Sequence, residues 1–344
     1  MSEGEVGVAI QGTGSVSTEH IRAYLRDPRA RIVALGSRTR EGAQRKAREM
    51  GLDVPVFDRF EELLARPDVD AVSICTPHER HSMETVLAAE AGKHVLIEKP
   101  VALDVDQLGR MRDAVRAAGV RTVVSFVLRW NPAVSNIKAL KQDGALGTTF
   151  HVQTDYWHNP GVARHMRGLA ERGGGSGIGG MLTGGCHAMD AARYLMESDI
   201  VEVSARSWDP PSQAGSGGPA ENTVALVRFA NGAMGKVSGC ISMWMPYAFN
   251  IDLLGTDGSV RGDRFFTRKL PGLTGMGRLP TVLPDSGDVA HHPFGGEISH
   301  FIDCILSGHE SHVNLEDAVN THEACFAADM SAAQGGATIK LPLL

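Results

Sequence analysis

The chain has 344 residues with 42% hydrophobic and 22% charged residues, an ordinary globular composition. This length exceeds one ordinary core and predicts two domains. A net charge of −6 provides no basic footprint for nucleic acid, and no apolar stretch approaches the roughly 20 residues that cross a bilayer. The five scattered cysteines argue against a disulfide framework or structural zinc site. The acidic amino terminus is unlike a secretory signal, so we expect a cytoplasmic protein with neither a nucleic-acid nor a membrane partner.

The first predicted strand, Val6–Ile10, runs into a glycine turn and then a helix. This order brings backbone amides and the positive end of a helix dipole to one point, where a pyrophosphate binds. Ser17 occupies the third fingerprint position, which is usually Gly or Ala. The expected cofactor contacts of this turn are Gly12, Gly14, Ser15 and Val16.

The next predicted strand, Arg31–Leu35, ends where an NAD enzyme usually presents an acid to the ribose 2′-hydroxyl. Ser37 and Arg38 stand there instead. A hydroxyl and a guanidinium suit a 2′-phosphate, so the sequence favours NADP(H), with NAD(H) possible. The alternative is an arginine on the solvated start of a helix.

Strands and helical patterns alternate as far as residue 126. The further predicted strands are Val54–Phe57, Ala71–Cys75, His94–Pro100 and Thr122–Phe126. Strands separated by helices predict a doubly wound parallel sheet, so we expect a dinucleotide-binding Rossmann domain over residues 1–126.

Lys99 ends the predicted strand His94–Pro100, after a short apolar run. In open α/β sheets, ligands bind outside the carboxyl ends of the strands. This position favours a lysine that contacts cofactor or substrate, and a surface lysine that follows a strand is the alternative.

Three motifs together resemble those of the Gfo/Idh/MocA oxidoreductases: Gly12-Thr13-Gly14, Thr76-Pro77 followed by His81, and Glu98-Lys99-Pro100. The Glu-Lys-Pro motif is the specific part, since the glycine turn is common to Rossmann proteins. The resemblance implies that Lys99 is the lysine of the catalytic site. It also places a second set of residues at the cofactor: Thr76, Pro77, His81, Glu98 and Lys99.

Beyond residue 126 the pattern changes to that of a second sheet. Phe150, Val152, Thr154 and Tyr156 alternate with polar residues, as in a strand with one exposed face. The further strand candidates are Val201–Ser207, Thr223–Phe229, Gly235–Met243 and Phe249–Leu254. We therefore expect a mainly antiparallel α+β domain over residues 127–344, for substrate binding and oligomerisation. The resemblance implies that its sheet is open-faced and makes dimer contacts, which predicts a homodimer or homotetramer.

A tract with eight glycines between residues 173 and 185 leads into a helix that carries His187. Residues 179–190 resemble the family's second catalytic motif, but Thr183 stands where the family has Asp. Histidine suits proton transfer near neutral pH, so His187 is the expected general base, with Lys99 offsetting negative charge on the reacting oxygen. Asp190, at i+3, is expected to hold the imidazole tautomer, and Thr183 to orient substrate or imidazole. A core histidine is the alternative for His187.

The other candidates for substrate contact follow strands: Arg129, Trp130, Tyr156 and His158. His151, His158 and His165 recur every seven residues, but this spacing alternates faces on a strand, so no metal is expected.

The expected activity is hydride transfer between nicotinamide and a secondary alcohol or ketone of a sugar, polyol or sugar derivative. Two alternatives stay open. One is a non-catalytic, cofactor-sensing regulator of the same fold, which the Thr183 departure keeps in view. The other is NAD-dependent glycoside cleavage through a transient keto sugar.

Overall fold

The computed structural model describes residues 4–159, 178–209, 220–281 and 292–344. The chain forms two compact units, one of residues 1–127 and 293–319, the other of residues 128–292 and 320–344. The segment 293–319 thus belongs to the first unit, which a single boundary at residue 126 does not anticipate.

The first unit is built on a six-stranded parallel sheet in the order β3-β2-β1-β4-β5-β6. Its strands are β1 Val6–Gln11, β2 Ala30–Gly36, β3 Val56–Phe57, β4 Ala71–Ile74, β5 His94–Ile97 and β6 Thr122–Val124. Every residue of β1 and β4 is buried, as expected of parallel strands covered on both faces. The predicted Rossmann sheet is confirmed.

Helices cover this sheet. Those that precede residue 127 are α1 Ser15–Tyr24, α2 Arg40–Met50, α3 Phe60–Leu64, α4 His78–Glu90 and α5 Val105–Ala118. A later helix, α8 Phe294–Ser307, packs against α1, and the backbone N–H of Val124 in β6 donates to the carbonyl of Val313. These contacts explain why the segment 293–319 belongs to this unit.

The second unit contains a nine-stranded sheet in the order β14-β13-β12-β11-β7-β10-β9-β8-β15. Its strands are β7 Thr149–Trp157, β8 Ile200–Ser207, β9 Asn222–Phe229, β10 Met234–Cys240, β11 Ala248–Gly255, β12 Gly258–Arg261, β13 Arg264–Thr267, β14 Gly277–Arg278 and β15 Ile339–Lys340. Among the described residues only β7 and β10 pair in parallel, so the prediction of a mainly antiparallel sheet is confirmed.

Three further helices complete the description: α6 Pro132–Gln142, α7 Cys186–Met196 and α9 Leu315–Ala333. The α7 helix packs on β7 and β10 and carries His187. Within the described ranges, no helix is both long and apolar enough to cross a membrane.

Candidate active site

The glycine turn after β1 has the backbone that a dinucleotide requires. Gly12 adopts φ +107°, and a Cβ there would lie 2.4 Å from the carbonyl oxygen of Cys75. Only glycine fits this close approach. Gly14 is the N-cap of α1 and gives it no side-chain cap, and a Cβ on Gly14 would meet no heavy atom within 4 Å. The exposed Gly14 and Ser15 therefore leave the start of α1 open to an anion.

Ser17 replaces the usual third glycine without disturbing this turn. Its side chain is fully buried and donates to the carbonyl oxygen of Gly14 at 2.7 Å. The serine therefore ties the first turn of α1 to the glycine loop.

The end of β2 presents a second polar surface. Ser37 Oγ lies 3.0 Å from Thr13 Oγ1, which links this strand end to the glycine turn. Arg38 is exposed, and it makes no hydrogen bond or ion pair with any residue that the structure describes. Ser37 is half-buried and Arg38 is exposed at the end of β2, where the sequence predicts contact with a 2′-phosphate.

His81 joins the ends of β4 and β5. It is buried, with Nε2 2.8 Å from the carbonyl oxygen of Thr76 and Nδ1 2.8 Å from that of Pro100. The imidazole therefore supports the backbone on either side, rather than offering a free edge to the predicted cofactor. Thr76 Oγ1 donates to Glu84, and Pro77 is exposed at the start of α4.

Lys99 follows β5 in a half-buried position, where its backbone N–H donates to Glu98 Oε2 at 3.2 Å. The Lys99–Pro100 peptide bond is cis. Burial, helped by the Lys99 cation, lowers the pKa of His78 to about 4, so this imidazole is neutral at physiological pH. Sequence reasoning did not assign His78 a role.

Glu98 was predicted as a cofactor contact, but its carboxyl is turned into the first unit. Its side chain is buried and contacts His20 and Ser125, each at 2.9 Å. The Glu98 side chain therefore contacts buried residues of the first unit and the backbone of Lys99.

In the second unit, His187 lies in the first turn of α7, directly after a π-helical turn over Met181–Gly185. The imidazole is buried and stacks on the Tyr156 ring, with centroids 5.6 Å apart and planes 23° apart. Such π-helical turns often occur at functional sites.

Glycines explain this close contact. A Cβ on Gly184 would lie 2.2 Å from the Tyr156 ring, and one on Gly180 would lie 2.1 Å from the carbonyl oxygen of Glu221. The described glycines of the tract therefore serve close packing. Residues 173–177 of the tract lie outside the described residues.

Aromatic and imidazole rings surround His187. The ring centroid of Tyr247 lies 5.2 Å from that of Tyr156, and the centroid of His158 lies 6.0 Å from it. The centroid of His292 lies 6.2 Å from that of His187. Tyr156 Oη is 3.2 Å from His158 Nδ1. Burial raises the pKa of Tyr156, which keeps its phenol neutral. Tyr156 and His158 thus lie with His187, whereas Tyr247, on the turn before β11, gave no sequence signal.

Asp190 and Arg129 form a buried ion pair. Arg129 Nε donates to Asp190 Oδ2 at 2.9 Å and Arg129 Nη2 to Asp190 Oδ1 at 2.6 Å, with both side chains 3% exposed. Both carboxylate oxygens contact the guanidinium, so this geometry favours anchoring of α7 over the predicted tautomer role of Asp190. It likewise favours a structural role for Arg129 over substrate contact.

The last two predicted site residues are Thr183 and Trp130. Thr183 donates to the carbonyl oxygen of Ile178 at 3.2 Å within the π-helical turn. Trp130 ends a short 3-10 turn and is half-buried.

A glycine turn that opens a helix, a lysine after a parallel strand and a buried histidine are residue types expected of a pyridine-nucleotide-dependent oxidoreductase. Residues 6–126 match the model of an oxidoreductase family with an NAD-binding Rossmann fold, and residues 134–261 match the GFO/IDH/MocA C-terminal domain. The chain belongs to the GFO/IDH/MocA family, as its motifs predicted.

Two curated relatives give the range of this similarity. The scyllo-inositol 2-dehydrogenase (NAD(+)) of Bacillus subtilis is 28% identical, over 97% of this chain and 96% of that protein. The levoglucosan dehydrogenase of Pseudarthrobacter phenanthrenivorans is 30% identical over 64% of this chain and 62% of that one. The same fold occurs in a Lactobacillus casei scyllo-inositol dehydrogenase crystallised with NAD(H) and scyllo-inositol, at 20% identity, TM-score 0.79, and coverage of 98% and 99% of the two chains.

We expect Gly184→Ala to lower the free energy of unfolding by about 1–3 kcal/mol, because the new methyl group overlaps the Tyr156 ring. Urea denaturation measures this. Gly295→Ala, in open space on α8, is the matched control and should lose no stability. Equal stability of the two variants would contradict the packing argument.

We expect Arg129→Leu to lower the free energy of unfolding by about 3–5 kcal/mol, because it leaves the Asp190 carboxylate buried without its counter-charge. Arg228→Leu removes an exposed arginine that pairs with Glu202 and should change stability little. Chemical denaturation of both variants provides the measurement, and a similar loss in each would refute a special role for the buried pair.

Proposed function

We propose that the protein is an NADP(H)-preferring oxidoreductase that transfers a hydride between nicotinamide and a secondary alcohol or ketone of a sugar, polyol or sugar derivative. The observation that carries this proposal is the buried, ring-stacked His187 in a chain whose nucleotide unit presents Lys99 after β5. Relatives named as dehydrogenases of inositol and levoglucosan support the substrate class.

The chain's own residues supply the proton chemistry. The nicotinamide accepts or donates the hydride when it is bound. His187 removes the hydroxyl proton during oxidation and returns it during reduction. The Lys99 ammonium is suited to offset negative charge on a reacting oxygen. Thr183 cannot ionise near neutral pH, so proton transfer at this site falls to the histidine.

The ring cluster suits a hydroxylated substrate. Tyr156 and Tyr247 provide apolar ring faces beside His158 and His292, whose nitrogens donate or accept hydrogen bonds. Rings that carry polar atoms match a polyol, which has apolar C–H faces and polar hydroxyl edges.

Ser37 and Arg38 support a preference for NADP(H). They stand at the end of β2, where the ribose 2′ position is read in Rossmann folds, and no acid stands there to bind a 2′-hydroxyl or repel a phosphate. NAD(H) is expected to bind more weakly at the same turn.

We further propose a cytoplasmic homodimer or homotetramer. Five free cysteines, four of them buried, fit a reducing compartment. Leu226 and Met234 are 63% and 62% exposed on adjacent strands of the second sheet, an apolar surface that a partner subunit would cover.

We expect Lys99→Met and His187→Asn each to lower kcat on the best sugar or polyol by at least about 100-fold, because each removes a group that acts on the reacting oxygen. Steady-state kinetics with NADP⁺ provides the measurement. Lys340→Met and His309→Asn change exposed residues and serve as controls. Full activity of both site variants would overturn the site, whereas cofactor binding without turnover by wild type would favour the regulator.

We expect Arg38→Leu to weaken NADPH binding by about 10–100-fold, the effect of one or two lost charge-assisted hydrogen bonds, and to leave NADH affinity within about threefold. Fluorescence titration reads both dissociation constants. Arg45→Leu, an exposed arginine farther along α2, is the control. An equal loss for both nucleotides would contradict recognition of a 2′-phosphate.

A further inference from the structure

A buried hydrogen-bonded cluster lies in the first unit behind Lys99. We call it the Glu98 cluster. Its members come from four separate stretches of chain: His20 of α1, Glu98 after β5, Ser125 after β6 and Glu297 of α8. Their residues are 0%, 6%, 1% and 0% exposed, respectively.

One carboxylate is the centre of this cluster. Glu98 Oε1 lies 2.9 Å from His20 Nε2 and 2.9 Å from Ser125 Oγ, and Ser125 Oγ lies 3.1 Å from Glu297 Oε2. A serine hydroxyl has one proton and cannot donate to two carboxylates. A proton on Glu297 resolves this, since Glu297 then donates to Ser125, which donates to Glu98.

The electrostatics agree with that proton placement. Burial raises the pKa of Glu297 to about 8, helped by the charge of Glu98. Burial alone would raise the pKa of Glu98, but His20 and then Lys99 lower it to about 2. His20 has a pKa well above its ordinary value, because Cys75 and Glu98 outweigh the effect of burial.

The other ionisable groups that face the cluster are Cys75, which acts on His20, Lys99, which acts on Glu98, and Tyr24 of α1. Burial raises the pKa of Tyr24, so its phenol stays neutral. The cluster therefore contains an imidazolium, a carboxylate and one protonated carboxyl.

The cluster connects the nucleotide-binding helix to Lys99. His20 belongs to α1, whose first residues form the anion site, and Glu98 accepts the backbone N–H of Lys99 at 3.2 Å. We propose that His20, Ser125 and Glu297 are positioning residues that hold Lys99 through Glu98, with a single proton on Glu297 completing the arrangement. This inference rests on the proposed function, in which Lys99 offsets negative charge on a reacting oxygen.

Ionisation of Glu297 should undo the arrangement. Two carboxylates would then compete for the Ser125 hydroxyl, in a place that water does not reach. The position of Lys99, and with it kcat, therefore depends on a proton that no substrate touches.

The first test replaces His20. We expect His20→Leu to lower kcat at least about tenfold while the NADPH dissociation constant stays within about threefold, since the cluster acts on Lys99 and not on the nucleotide. His20→Gln keeps a hydrogen-bond donor for Glu98 and should fall between wild type and His20→Leu. Ile21→Val trims a fully buried neighbour on α1 and is the matched control, with kcat within about twofold of wild type. Wild-type kcat in His20→Leu, or an equal loss in Ile21→Val, would overturn the proposal.

The second test replaces Glu297 with a residue that cannot ionise. The folded wild type keeps the proton on Glu297 between about pH 5 and pH 8, where an unfolded glutamate has lost it, so its Tm should fall across that range as pH rises. Glu297→Gln cannot ionise, and its Tm should fall several degrees less. Its kcat should also lack the part of the alkaline decline that wild type shows near about pH 8. Superposable Tm and kcat profiles would refute the proton placement.

A third measurement separates this inference from the proposed function. If wild type turns over no sugar or polyol, the proposed function fails, and the position of Lys99 is then read from the NMR signal of ¹³C-methylated lysine, assigned with Lys99→Arg. That signal should shift in His20→Leu and stay in place in Ile21→Val. An unmoved signal in His20→Leu overturns the positioning role.

Discussion

The buried carboxylate of Glu98 is the constraint on which the nucleotide unit depends. An ion removed from water costs several kcal/mol unless partners replace its hydration. His20 and Ser125 do so from two distant stretches of the chain, each with a side-chain atom 2.9 Å from Glu98 Oε1. The backbone of the next residue, Lys99, is therefore held in place. A flexible lysine at a strand end would lose much of the orientation that proton and charge chemistry require.

Close packing has the same role in the second unit that charge has in the first. His187 reaches the Tyr156 ring because glycine at position 184 leaves no Cβ between the π-helical turn and the ring. The ion pair of Asp190 with Arg129 then holds α7 from within. Both devices restrict the position of the imidazole within the second unit.

Local patterns in the sequence were enough to predict the strands, the parallel or antiparallel class of each sheet, and the family. Strand period, glycine turns and the Glu-Lys-Pro motif are all short-range signals. The contact partners of each side chain could not be predicted from the sequence, because they come from distant parts of the chain. Asp190 was expected to hold the His187 imidazole, three residues away, and its guanidinium partner Arg129 is 61 residues away. Glu98 was expected at the cofactor, and its side-chain partners His20 and Ser125 are 78 and 27 residues away. Spacing along one helix shows which residues are neighbours on that helix. It does not show which residues of other elements pack against that helix.

The central claim is that His187 exchanges the proton of the reacting hydroxyl of a sugar or polyol. A crystal structure of the protein with NADPH and a bound sugar or polyol tests it most directly. We predict that a substrate hydroxyl oxygen lies within about 2.6–3.2 Å of a His187 ring nitrogen. A bound substrate with no oxygen within hydrogen-bond distance of His187 would contradict the claim.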